Sequence, residues 1–494
     1  MSYSFPEGCA FNTEADIANK KVTIMGLGLN GGGEAAVRFF LSKGAYVTVT
    51  DMKTKEQLQP TLLSLKEECI QYKDKLNFVL GCHRLEDFSE ADVVIKNPGV
   101  KYEGNKYLAV AKKIETDISI FLQFTEAPII AVTGSKGKSS TVSAIHYGLI
   151  QAGFNAFLGG NITVSPLTFL DKTNTNTPVV LELSSWQLAD LRGRKLLKPF
   201  IALITTIVPD HQNWYGSMEA YVNDKRLIYA DQNSTDWTIC NTDFWGNSFA
   251  AETKAQILQY ENKPINKISN KHYGCYFNEE GKGFVYLPQN KHFSEPKIVL
   301  DKLLVPGKHM RINALNAALV LALMGTESDK IKEILAKWQG IQHRLEYFHS
   351  WTSTNSLQYN FYNDSAATVP EAAAAANNAF NKPVNLICGG TDKELDFNIL
   401  ANNIKESTPA SLWLLEGSGT QKLLLLLKEK NITFYGPFNS LEELLKELHK
   451  FLLKNTNPSN NTIVFSPGAT SFGMFKNEFD RGNNFKKEVL NIFK

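Results

Sequence analysis

The sequence predicts an α/β protein in which short strands and helices alternate along three successive domains. The chain has 494 residues, more than one ordinary hydrophobic core accommodates. Short apolar runs alternate with stretches of helical periodicity, a pattern typical of domains built on parallel sheets. Two of the apolar runs lead into glycine-rich loops of the kind that bind phosphate. We expect a Rossmann-like domain over 1–116, a P-loop ATPase-type domain over 117–340 and a Rossmann-like domain over 341–494.

The N-terminal segment begins with a predicted βαβ unit. An apolar run over 21–25 leads into Gly26-x-Gly28 and further glycines, and a second strand over 46–50 ends at Asp51. Glycines at this place let the backbone approach a phosphate, and an acid after the second strand suits a hydroxyl-rich ligand. A nicotinamide or flavin dinucleotide satisfies this pattern, and a uridine diphosphate satisfies it equally. We favour the uridine nucleotide because of the motifs that follow.

The central segment contains the most informative loop of the chain. The loop consists of Gly134, Ser135, Lys136, Gly137, Lys138, Ser139 and Ser140. It lies between an apolar run and a helical stretch, the context in which backbone N–H groups surround phosphate oxygens. Lys138 can reach the terminal phosphates of a nucleotide, and the Ser139 hydroxyl can ligate Mg²⁺. The loop predicts ATP chemistry, although Val132 stands where the common pattern has its first glycine.

Two later strands of this segment end in residues that suit a metal or a proton transfer. Glu182 closes an apolar run, and a buried acid is costly unless a cation meets it, most simply Mg²⁺. His211 follows the next apolar run; a lone histidine is more often structural, but this one stands at a strand end. Lys225 lies in a helical stretch over 218–229 and by itself indicates only a surface lysine. The stretch over 240–305 is predicted to be irregular β structure.

The C-terminal segment again alternates strands and helices. Predicted strands cover 359–362, 384–387, 412–415 and 462–465. Most of them end in small or polar residues, as expected if the carboxyl edge of a sheet faces a binding site. An alanine-rich run over 371–376 predicts a helix.

Composition narrows the class of protein. The formal net charge is +2 and no long basic or acidic run is present, so non-specific nucleic-acid binding is not expected. The six cysteines are scattered, which suits free thiols in a reducing compartment. No run of about 18 apolar residues and no signal peptide are evident, so membrane insertion is not expected. We expect a cytoplasmic enzyme that acts as a monomer.

Taken in order, the motifs resemble those of the Mur ligase family, which builds the peptide stem of bacterial cell-wall precursors, and within it the MurD type. The resemblance covers nearly the whole chain, from Gly26 to Gly473. The motifs that carry it are T-G-S-K-G-K-S-S at 133–140, E-L-S-S-W-Q at 182–187, P-D-H at 209–211, G-K-H-x-x-x-N at 307–313, H-R-L-E at 343–346, N-D-S at 363–365, G-G-T-D-K at 389–393 and S-P-G-A-T-S-F-G at 466–473.

The resemblance implies a UDP-binding, an ATPase and a C-terminal domain that together ligate an amino acid. ATP would phosphorylate the carboxylate of UDP-N-acetylmuramoyl-L-alanine, and the amine of glutamate would displace the phosphate. It implies ATP and two Mg²⁺ ions, with Lys138, His211 and Lys225 as catalytic groups. Lys225 would be carbamylated by CO₂, which turns a cation into an anion with two oxygens. The metal ligands would be Ser139, Glu182, His211 and Lys225.

The resemblance also implies roles for residues that contact the nucleotides and the other substrates. Near ATP it suggests Asn313 beside the adenine, with Arg344 and Asp364 reaching the γ-phosphate and the ribose. The residues implied for the substrates are Leu29, Asn30 and Asp51 for the uridine, Asn161, Ser184 and Gln187 for the muramoyl group, Lys393 and Ser471 for the glutamate carboxylates, and Thr368 and Phe472 as further substrate-binding residues.

Several positions depart from the family pattern and bear on the amino-acid pocket. Ala366 stands where a lysine is common, Met310 replaces an asparagine, and Glu478 takes the place of an aromatic residue, with Phe479 beside it. A divergent subgroup with such motifs adds L-glutamate; we favour D-glutamate as the commoner activity.

Three other readings remain as alternatives. A folylpolyglutamate synthase would open directly with its ATPase domain, unlike this chain. A nicotinamide-dependent oxidoreductase leaves the loop at 133–140 unexplained. A non-catalytic nucleotide-binding regulator would not need Lys138, Glu182, His211 and Lys225 together.

Overall fold

The computed structural model describes residues 5–162, 164–261, 274–380 and 382–494. The strands are β1 (Lys21–Met25), β2 (Tyr46–Asp51), β3 (Leu76–Leu80), β4 (Val93–Lys96), β5 (Ile114–Glu115), β6 (Ile129–Thr133), β7 (Phe157–Gly160), β8 (Val179–Glu182), β9 (Ile201–Ile204), β10 (Trp237–Asn241), β11 (Gln256–Tyr260), β12 (Gly274–Phe277), β13 (Gly283–Tyr286), β14 (Lys297–Leu300), β15 (Glu346–Thr352), β16 (Gln358–Asn363), β17 (Asn385–Cys388), β18 (Ser411–Leu415), β19 (Tyr435–Phe438) and β20 (Thr462–Phe465).

Helices connect most of these strands. The α-helices are α1 (Gly32–Ser42), α2 (Gln59–Ser64), α3 (Lys66–Gln71), α4 (Leu85–Ser89), α5 (Asp117–Phe124), α6 (Lys138–Ala152), α7 (Ser185–Ala189), α8 (Gln212–Tyr215), α9 (Met218–Arg226), α10 (Phe244–Glu252), α11 (Lys308–Leu323), α12 (Ser328–Leu335), α13 (Pro370–Asn377), α14 (Asn398–Glu406), α15 (Ser418–Glu429), α16 (Leu441–Lys454) and α17 (Glu478–Ile492). Short 3-10 helices lie at Glu14–Ile17, Leu108–Val110, Pro166–Thr168 and Leu170–Lys172. None of the helices in the described part of the chain is long and apolar enough to cross a membrane.

The first sheet has the order β3-β2-β1-β4-β5, with all neighbours parallel. Because β1 lies between β2 and β4, the loops that follow β1 and β4 meet at the carboxyl edge, where such sheets bind ligands. The loop after β1 turns through Gly26 and Gly28, whose φ angles are +97° and +64°. A side chain at either glycine would be strained there, so the predicted glycine pattern has a conformational cause.

The second sheet has the order β14-β13-β12-β11-β10-β9-β6-β8-β7. Neighbours are parallel from β7 through to β12, and antiparallel from β12 to β14. The strand β6 lies between β8 and β9 and leads into the glycine loop. The ends of these three strands therefore bring the glycine loop, Glu182 and the segment before His211 to one edge of the sheet.

The third sheet has the order β15-β16-β20-β17-β18-β19, in which only the β15–β16 pair is antiparallel within the described residues. Its two faces are covered separately. Leu386 and Cys388 of β17 pack with α13 to α15, whereas the alternate residue Ile387 packs with α16 and α17. This alternation of side chains is the period of two that a strand buried on both faces requires.

The chain forms two compact units, one of residues 1–301 with 312–335 and the other of 302–311 with 336–494. The first unit holds two sheets, because one apolar cluster runs from Phe40 of α1 through Phe121 of α5 to Leu183 after β8. Two buried ion pairs join the same halves: Lys96 Nζ lies 2.8 Å from Asp190 Oδ2, and Arg194 Nη1 lies 2.6 Å from Glu115 Oε2. Buried pairs of this kind fix a particular geometry more than they add stability.

The mixed α/β class with three sheets confirms the predicted fold class. Strands β1 and β20 have the predicted bounds, and most others differ by one or two residues. The prediction of irregular β structure over 240–305 was incomplete, because this stretch holds α10 and four ordered strands of the second sheet, β11 to β14. Part of it, 262–273, lies outside the described residues. The domain boundaries at 116 and 340 stay a prediction.

Candidate active site

The glycine loop is a tight turn between β6 and α6. Gly134 and Gly137 have φ angles of +142° and +95°, and Gly137 is the residue that precedes α6. A Cβ atom at Gly134 would overlap the Thr205 hydroxyl, and one at Gly137 would lie 2.6 Å from Asn313 Oδ1. Both positions therefore require glycine, and the resulting turn opens onto a helix N-terminus, where anions bind favourably.

Two lysines converge on one backbone carbonyl of this loop. Lys138 Nζ and Lys225 Nζ each donate to the carbonyl oxygen of Gly134 at 2.9 Å. Lys138 Nζ also donates to Ser135 O at 3.1 Å, and Lys225 Nζ lies 3.5 Å from Thr133 Oγ1. Lys225 is buried, with 1% of its surface exposed. The lysine that sequence alone would place on the surface therefore lies under the phosphate loop.

The pKa values of both lysines are lowered, and Lys138 contributes to the shift of Lys225. Burial, followed by the nearby charge of Lys138, lowers the pKa of Lys225 to about 7. Burial also lowers the pKa of Lys138. A desolvated lysine beside a second cation loses its proton more easily, so Lys225 reaches the neutral amine form at lower pH than an exposed lysine does. A neutral amine is the form that reacts as a nucleophile.

Glu182 lies at the end of β8, paired in register with Val132 of β6 and Gly160 of β7. Its Oε1 accepts a hydrogen bond from Asn161 Nδ2 at 2.9 Å, while Oε2 is buried and has no hydrogen-bond partner among the described residues. A buried carboxylate oxygen without a partner is costly, and a cation is what would compensate it.

The oxygen donors of Glu182 and the Ser139 hydroxyl fit Mg²⁺, which prefers oxygen ligands and few protein groups. Within the described ranges, no three His, Cys, Asp or Glu side chains cluster closely enough to hold a metal unaided. The predicted set of Ser139, Glu182, His211 and Lys225 contains two side chains of these types, and it stays a prediction.

His211 has a strained backbone at the start of α8. Its φ is +51°, an unusual value for a residue other than glycine. The ring centroid lies 4.8 Å from that of Trp186 and 6.3 Å from that of Tyr221. The preceding Asp210 accepts a bond from the His211 backbone N–H at 3.1 Å and lies 3.4 Å from Lys136 Nζ. The ion pair joins the glycine loop to the His211 segment.

Ser184 and Gln187 form a capping box at the start of α7. The Gln187 backbone N–H donates to Ser184 Oγ at 3.2 Å, and Gln187 Oε1 accepts from the Ser184 backbone N–H at 3.0 Å. These bonds satisfy helix-end donors, which gives both residues a structural use. Their predicted contacts with the muramoyl group stay a prediction.

Asp51 is likewise engaged within the first sheet. Its Oδ2 accepts from the Gly28 backbone N–H at 3.0 Å, and its Oδ1 accepts from the Lys53 backbone N–H at 2.9 Å. The carboxylate thus holds the loop after β1 to the end of β2. Leu29 and Asn30 lie on that loop with exposed side chains, so the structure brings the three predicted uridine residues together.

In the second unit, Asp364 follows β16 and is fully engaged. Its Oδ1 accepts from the Leu345 backbone N–H at 3.0 Å, and its Oδ2 accepts from Ser466 Oγ at 2.6 Å. Burial raises the pKa of Asp364 to about 7, although the bond from Ser466 opposes the rise. Arg344 is exposed and precedes Leu345 directly. The structure therefore brings the predicted pair Arg344 and Asp364 close together, because the residue after Arg344 donates to Asp364.

The residues predicted to bind glutamate lie on strand-end loops that hydrogen bonds between backbone groups hold together. Thr391 and Thr470 exchange backbone hydrogen bonds of 3.1 and 3.0 Å, and the Thr391 hydroxyl donates to the Phe472 carbonyl. The Gly468 backbone N–H donates to Ala367 O at 2.9 Å. These bonds link the loops that carry Lys393, Ser471 and Thr368. Lys393 and Phe472 are exposed, Thr368 is half-buried, and Ser471 is buried.

Sequence reasoning missed three groups at these sites. Asp210 was noted only as part of a motif, and Tyr221, whose hydroxyl lies 3.0 Å from Ser135 Oγ, was not noted. Arg481 was also missed: it is 1% exposed and bonds to two strand-end loops of the second unit. An arginine in a polar helix looks the same in sequence whether it is buried or exposed, so no sequence signal identified it.

Comparison with known proteins is consistent with this geometry. The domain families described as Mur ligase MurD-like, N-terminal domain, and Mur ligase middle domain match residues 20–120 and 132–321. The protein named UDP-N-acetylmuramoylalanine–D-glutamate ligase from Treponema pallidum is 40% identical, over 97% of this chain and 98% of its own length. Its namesake from Borreliella burgdorferi is 36% identical, over 97% of this chain and 99% of its own length.

Solved structures agree at the level of the fold. The UDP-N-acetylmuramate–alanine ligase MurC from Thermotoga maritima matches with a TM-score of 0.54 and 18% identity, over 96% of this chain and 100% of that one.

Proposed function

This chain belongs to the Mur ligase family, and we propose that it joins D-glutamate to UDP-N-acetylmuramoyl-L-alanine at the expense of ATP. One observation carries the proposal: Lys138 and Lys225 meet at the carbonyl of Gly134, beneath a loop shaped for phosphate. The two relatives described above, at 40% and 36% identity, are named for D-glutamate, which favours that enantiomer over L-glutamate.

The chemistry begins with a carboxylate, which is a poor electrophile at neutral pH. An oxygen of the alanyl carboxylate attacks the γ-phosphorus of ATP, and the bond from that phosphorus to the ADP oxygen breaks. The glycine loop holds the phosphates through its backbone N–H groups. Lys138 moves from the Gly134 carbonyl to the γ-phosphate, where its charge offsets the charge of the transferring group.

The resulting acyl phosphate then reacts with the amine of glutamate. The amine forms the amide bond, phosphate leaves with one oxygen of the original carboxylate, and the amine loses a proton. Bound Mg²⁺, for which we propose two sites, would neutralise phosphate charge as a Lewis acid. Glu182 and Ser139 supply oxygen donors for it, and His211 lies at the adjoining strand end. A histidine is an unusual Mg²⁺ ligand, so its role rests mainly on the family resemblance.

Lys225 is proposed to carry a carbamate. A neutral ε-amine and CO₂ form a carbamate and release one proton, and the product has two oxygens and a negative charge. The pKa of about 7 supports this step, since the neutral amine is available under ordinary conditions. A carbamate would remove the repulsion between Lys225 and Lys138 at the shared Gly134 carbonyl.

The other substrates are assigned by position. The uridine end is proposed to lie at Leu29, Asn30 and Asp51, and the muramoyl group near Asn161, Ser184 and Gln187. Glutamate is proposed to bind at Thr368, Lys393, Ser471 and Phe472, where a cation and a hydroxyl suit its carboxylates. Asn313 would contact the adenine, and Arg344 with Asp364 the γ-phosphate and ribose.

We also propose domain boundaries at residues 116 and 340. The first sheet ends with β5 at Glu115, and the third begins with β15 at Glu346. All of the proposed groups come from one chain, so a monomer suffices for the reaction. We place the reaction in the cytoplasm, where ATP is available.

A phosphate-release assay tests the proposal. Purified protein should release phosphate from ATP only when UDP-N-acetylmuramoyl-L-alanine and glutamate are both present. Running D- and L-glutamate side by side, with product mass measured, assigns the enantiomer; we expect turnover with D-glutamate. Phosphate release that does not depend on the muramoyl substrate would refute the assignment.

A further inference from the structure

A buried arginine lies between two loops of the second unit. Arg481 belongs to the first turns of α17 and is 1% exposed. Its Nε donates to Ser365 Oγ at 3.0 Å and its Nη2 to Ser365 O at 2.8 Å, while Nη1 donates to Ala469 O at 2.9 Å. The planar guanidinium presents its donors in a fixed fork, so these bonds set the relative position of the two acceptors.

Ser365 and Ala469, which accept these hydrogen bonds, lie on the loops proposed to bind glutamate. Ser365 follows β16, and its hydroxyl also donates to the Glu478 carbonyl at 2.7 Å, which holds the loop to the start of α17. Ala469 follows β20 and precedes Ser471 by two residues. A third loop passes close by, because a Cβ atom at Gly390 would lie 3.5 Å from Arg481 Nη1. One side chain thus contacts or borders all three strand-end loops.

The helix itself is held against the same region. Gly482 lies so close to His343 that a Cβ atom there would overlap the imidazole ring. Asn363 Nδ2 lies 2.9 Å from His343 Nδ1 and donates to Gly482 O at 3.5 Å. Arg481 is therefore presented to the loops by a closely packed helix start and has little freedom to move.

Among the described residues, Arg481 has no direct counter-ion. Its hydrogen bonds go to a hydroxyl and to carbonyl oxygens, and no carboxylate of the described residues lies within ion-pair distance. Burial lowers the pKa of Arg481 to about 10, against the opposing charge of Glu478, so the group stays cationic at neutral pH. An uncompensated buried cation raises the positive potential at the ends of β16 and β20, which favours an anionic ligand there.

We propose that Arg481 is a positioning residue for the amino-acid acceptor, holding the loops at 364–368 and 466–472 at the separation that binds a dicarboxylic amino acid. The inference rests on the proposed function, because it identifies what those loops bind. Arg481 does not contact the acceptor in this account; it acts through the backbone of Ser365 and Ala469. Asp364, the residue of the 364–368 loop that is assigned to ATP, has its own bonds from the Leu345 backbone N–H and Ser466 Oγ. Loss of Arg481 should therefore weaken glutamate binding far more than nucleotide binding.

The kinetic test compares Arg481→Met and Arg481→Lys with the wild type. The matched control is Lys487→Gln, which removes one cation from an exposed position of the same helix. For Arg481→Met we expect the KM for glutamate to rise by about tenfold or more, because bonds to a charged donor are lost. The KM values for ATP and UDP-N-acetylmuramoyl-L-alanine should stay within about twofold. The KM of Arg481→Lys for glutamate should lie between the wild-type and Arg481→Met values, since lysine keeps the charge but not the planar set of donors.

Two outcomes of this assay overturn the inference. One is an unchanged KM for glutamate in a folded Arg481→Met protein. The other is an equal rise in all three KM values, which is what a merely structural residue would produce. If Arg481→Met does not fold, the comparison is made with Arg481→Lys alone.

Hydrogen–deuterium exchange separates this inference from the proposed function. In Arg481→Lys without substrates, backbone exchange should rise in peptides covering 364–372 and 466–474, and not in those covering 21–51. Exchange in the two loops that equals the wild type overturns the positioning role. Absence of glutamate-dependent turnover in the wild-type protein would instead refute the proposed function, and the exchange result would still decide whether Arg481 holds the loops.

Discussion

The glycine loop of the first unit with its two lysines, called the phosphate half, and the strand-end loops of the second unit proposed for glutamate, called the acceptor half, are built differently. At the phosphate half, the chain conformation itself forms the site: Gly134 and Gly137 turn the backbone, and Lys138 and Lys225 share one carbonyl. At the acceptor half, bonds between residues far apart in sequence hold separate loops together, such as those of Arg481 to Ser365 and of Thr470 to Thr391. Backbone conformation shapes the phosphate loop, which Lys225 reaches from 91 positions away in the sequence, whereas side-chain and backbone bonds between distant residues hold the strand-end loops of the second unit together.

The largest predicted effect in the phosphate half comes from replacing Lys138, the lysine proposed to contact the γ-phosphate. Lys138→Met should reduce kcat by about a thousandfold or more, because the charge that meets the transferring phosphoryl group is lost. Steady-state phosphate release measures the effect. Lys172, an exposed lysine of the same unit, gives the control Lys172→Met, which should retain activity. Activity of Lys138→Met within threefold of the wild type would mean that the loop has another role.

The second lysine should behave differently from the first, although both bond to Gly134 O. Lys225→Ala should lose about a hundredfold or more in kcat, and acetate or formate should restore part of it by replacing the carbamate oxygens. The same carboxylates should not rescue Lys138→Met, which serves as the matched control. Activity of Lys225→Ala near the wild-type level, with no increase when acetate or formate is added, would refute the carbamate role.

Two glycines with similar backbone angles compare the halves directly. Gly137 and Gly473 have φ angles of +95° and +103°, but a Cβ atom would lie 2.6 Å from Asn313 Oδ1 at the first and 3.4 Å from Thr391 Oγ1 at the second. Either alanine costs roughly 1–2 kcal/mol in backbone strain, and Gly137→Ala adds a collision. We expect a larger fall in Tm for Gly137→Ala, together with a raised KM for ATP. Equal effects in the two variants would argue against a uniquely tight phosphate loop.

The smallest predicted effect concerns pH. The pKa of Asp364 is raised to about 7 by burial, above its value in the unfolded chain, so the folded state favours the protonated acid. Stability from this group is therefore present at low pH and is lost as pH rises from about 4 to about 7. Asp364→Asn should flatten this dependence, reducing the fall in Tm between pH 5 and pH 8 by roughly 5 °C. An identical pH dependence in the variant would contradict the raised pKa.

The glycine turn of the phosphate half was predictable from the sequence because its constraints are local. Left-handed turns at Gly134 and Gly137 require glycine, and the strand ends at Glu182 and before His211 follow from apolar runs. The burial of Lys225 was not predictable, because α9 is a predominantly polar helix and its sequence does not indicate which face packs against the glycine loop. Only the family resemblance singled out that lysine.

The acceptor half was predictable as strands but not as a site. The strands β16, β17 and β20 appeared at nearly the predicted positions, since each is a short apolar run. The bonds between their loops join residues about 80 to more than 110 positions apart, such as Thr391 with Thr470 and Ser365 with Arg481. No periodicity in the sequence encodes such pairs, so Arg481 emerged only from the structure.

The central claim is that the phosphate loop activates a carboxylate by phosphorylating it. The most direct measurement uses UDP-N-acetylmuramoyl-L-alanine labelled with ¹⁸O in the alanyl carboxylate, followed by mass analysis of the released phosphate. We expect one ¹⁸O atom per turnover in phosphate, because the carboxylate oxygen leaves with the phosphoryl group. Phosphate that carries no label, while the amide product still forms, would contradict it.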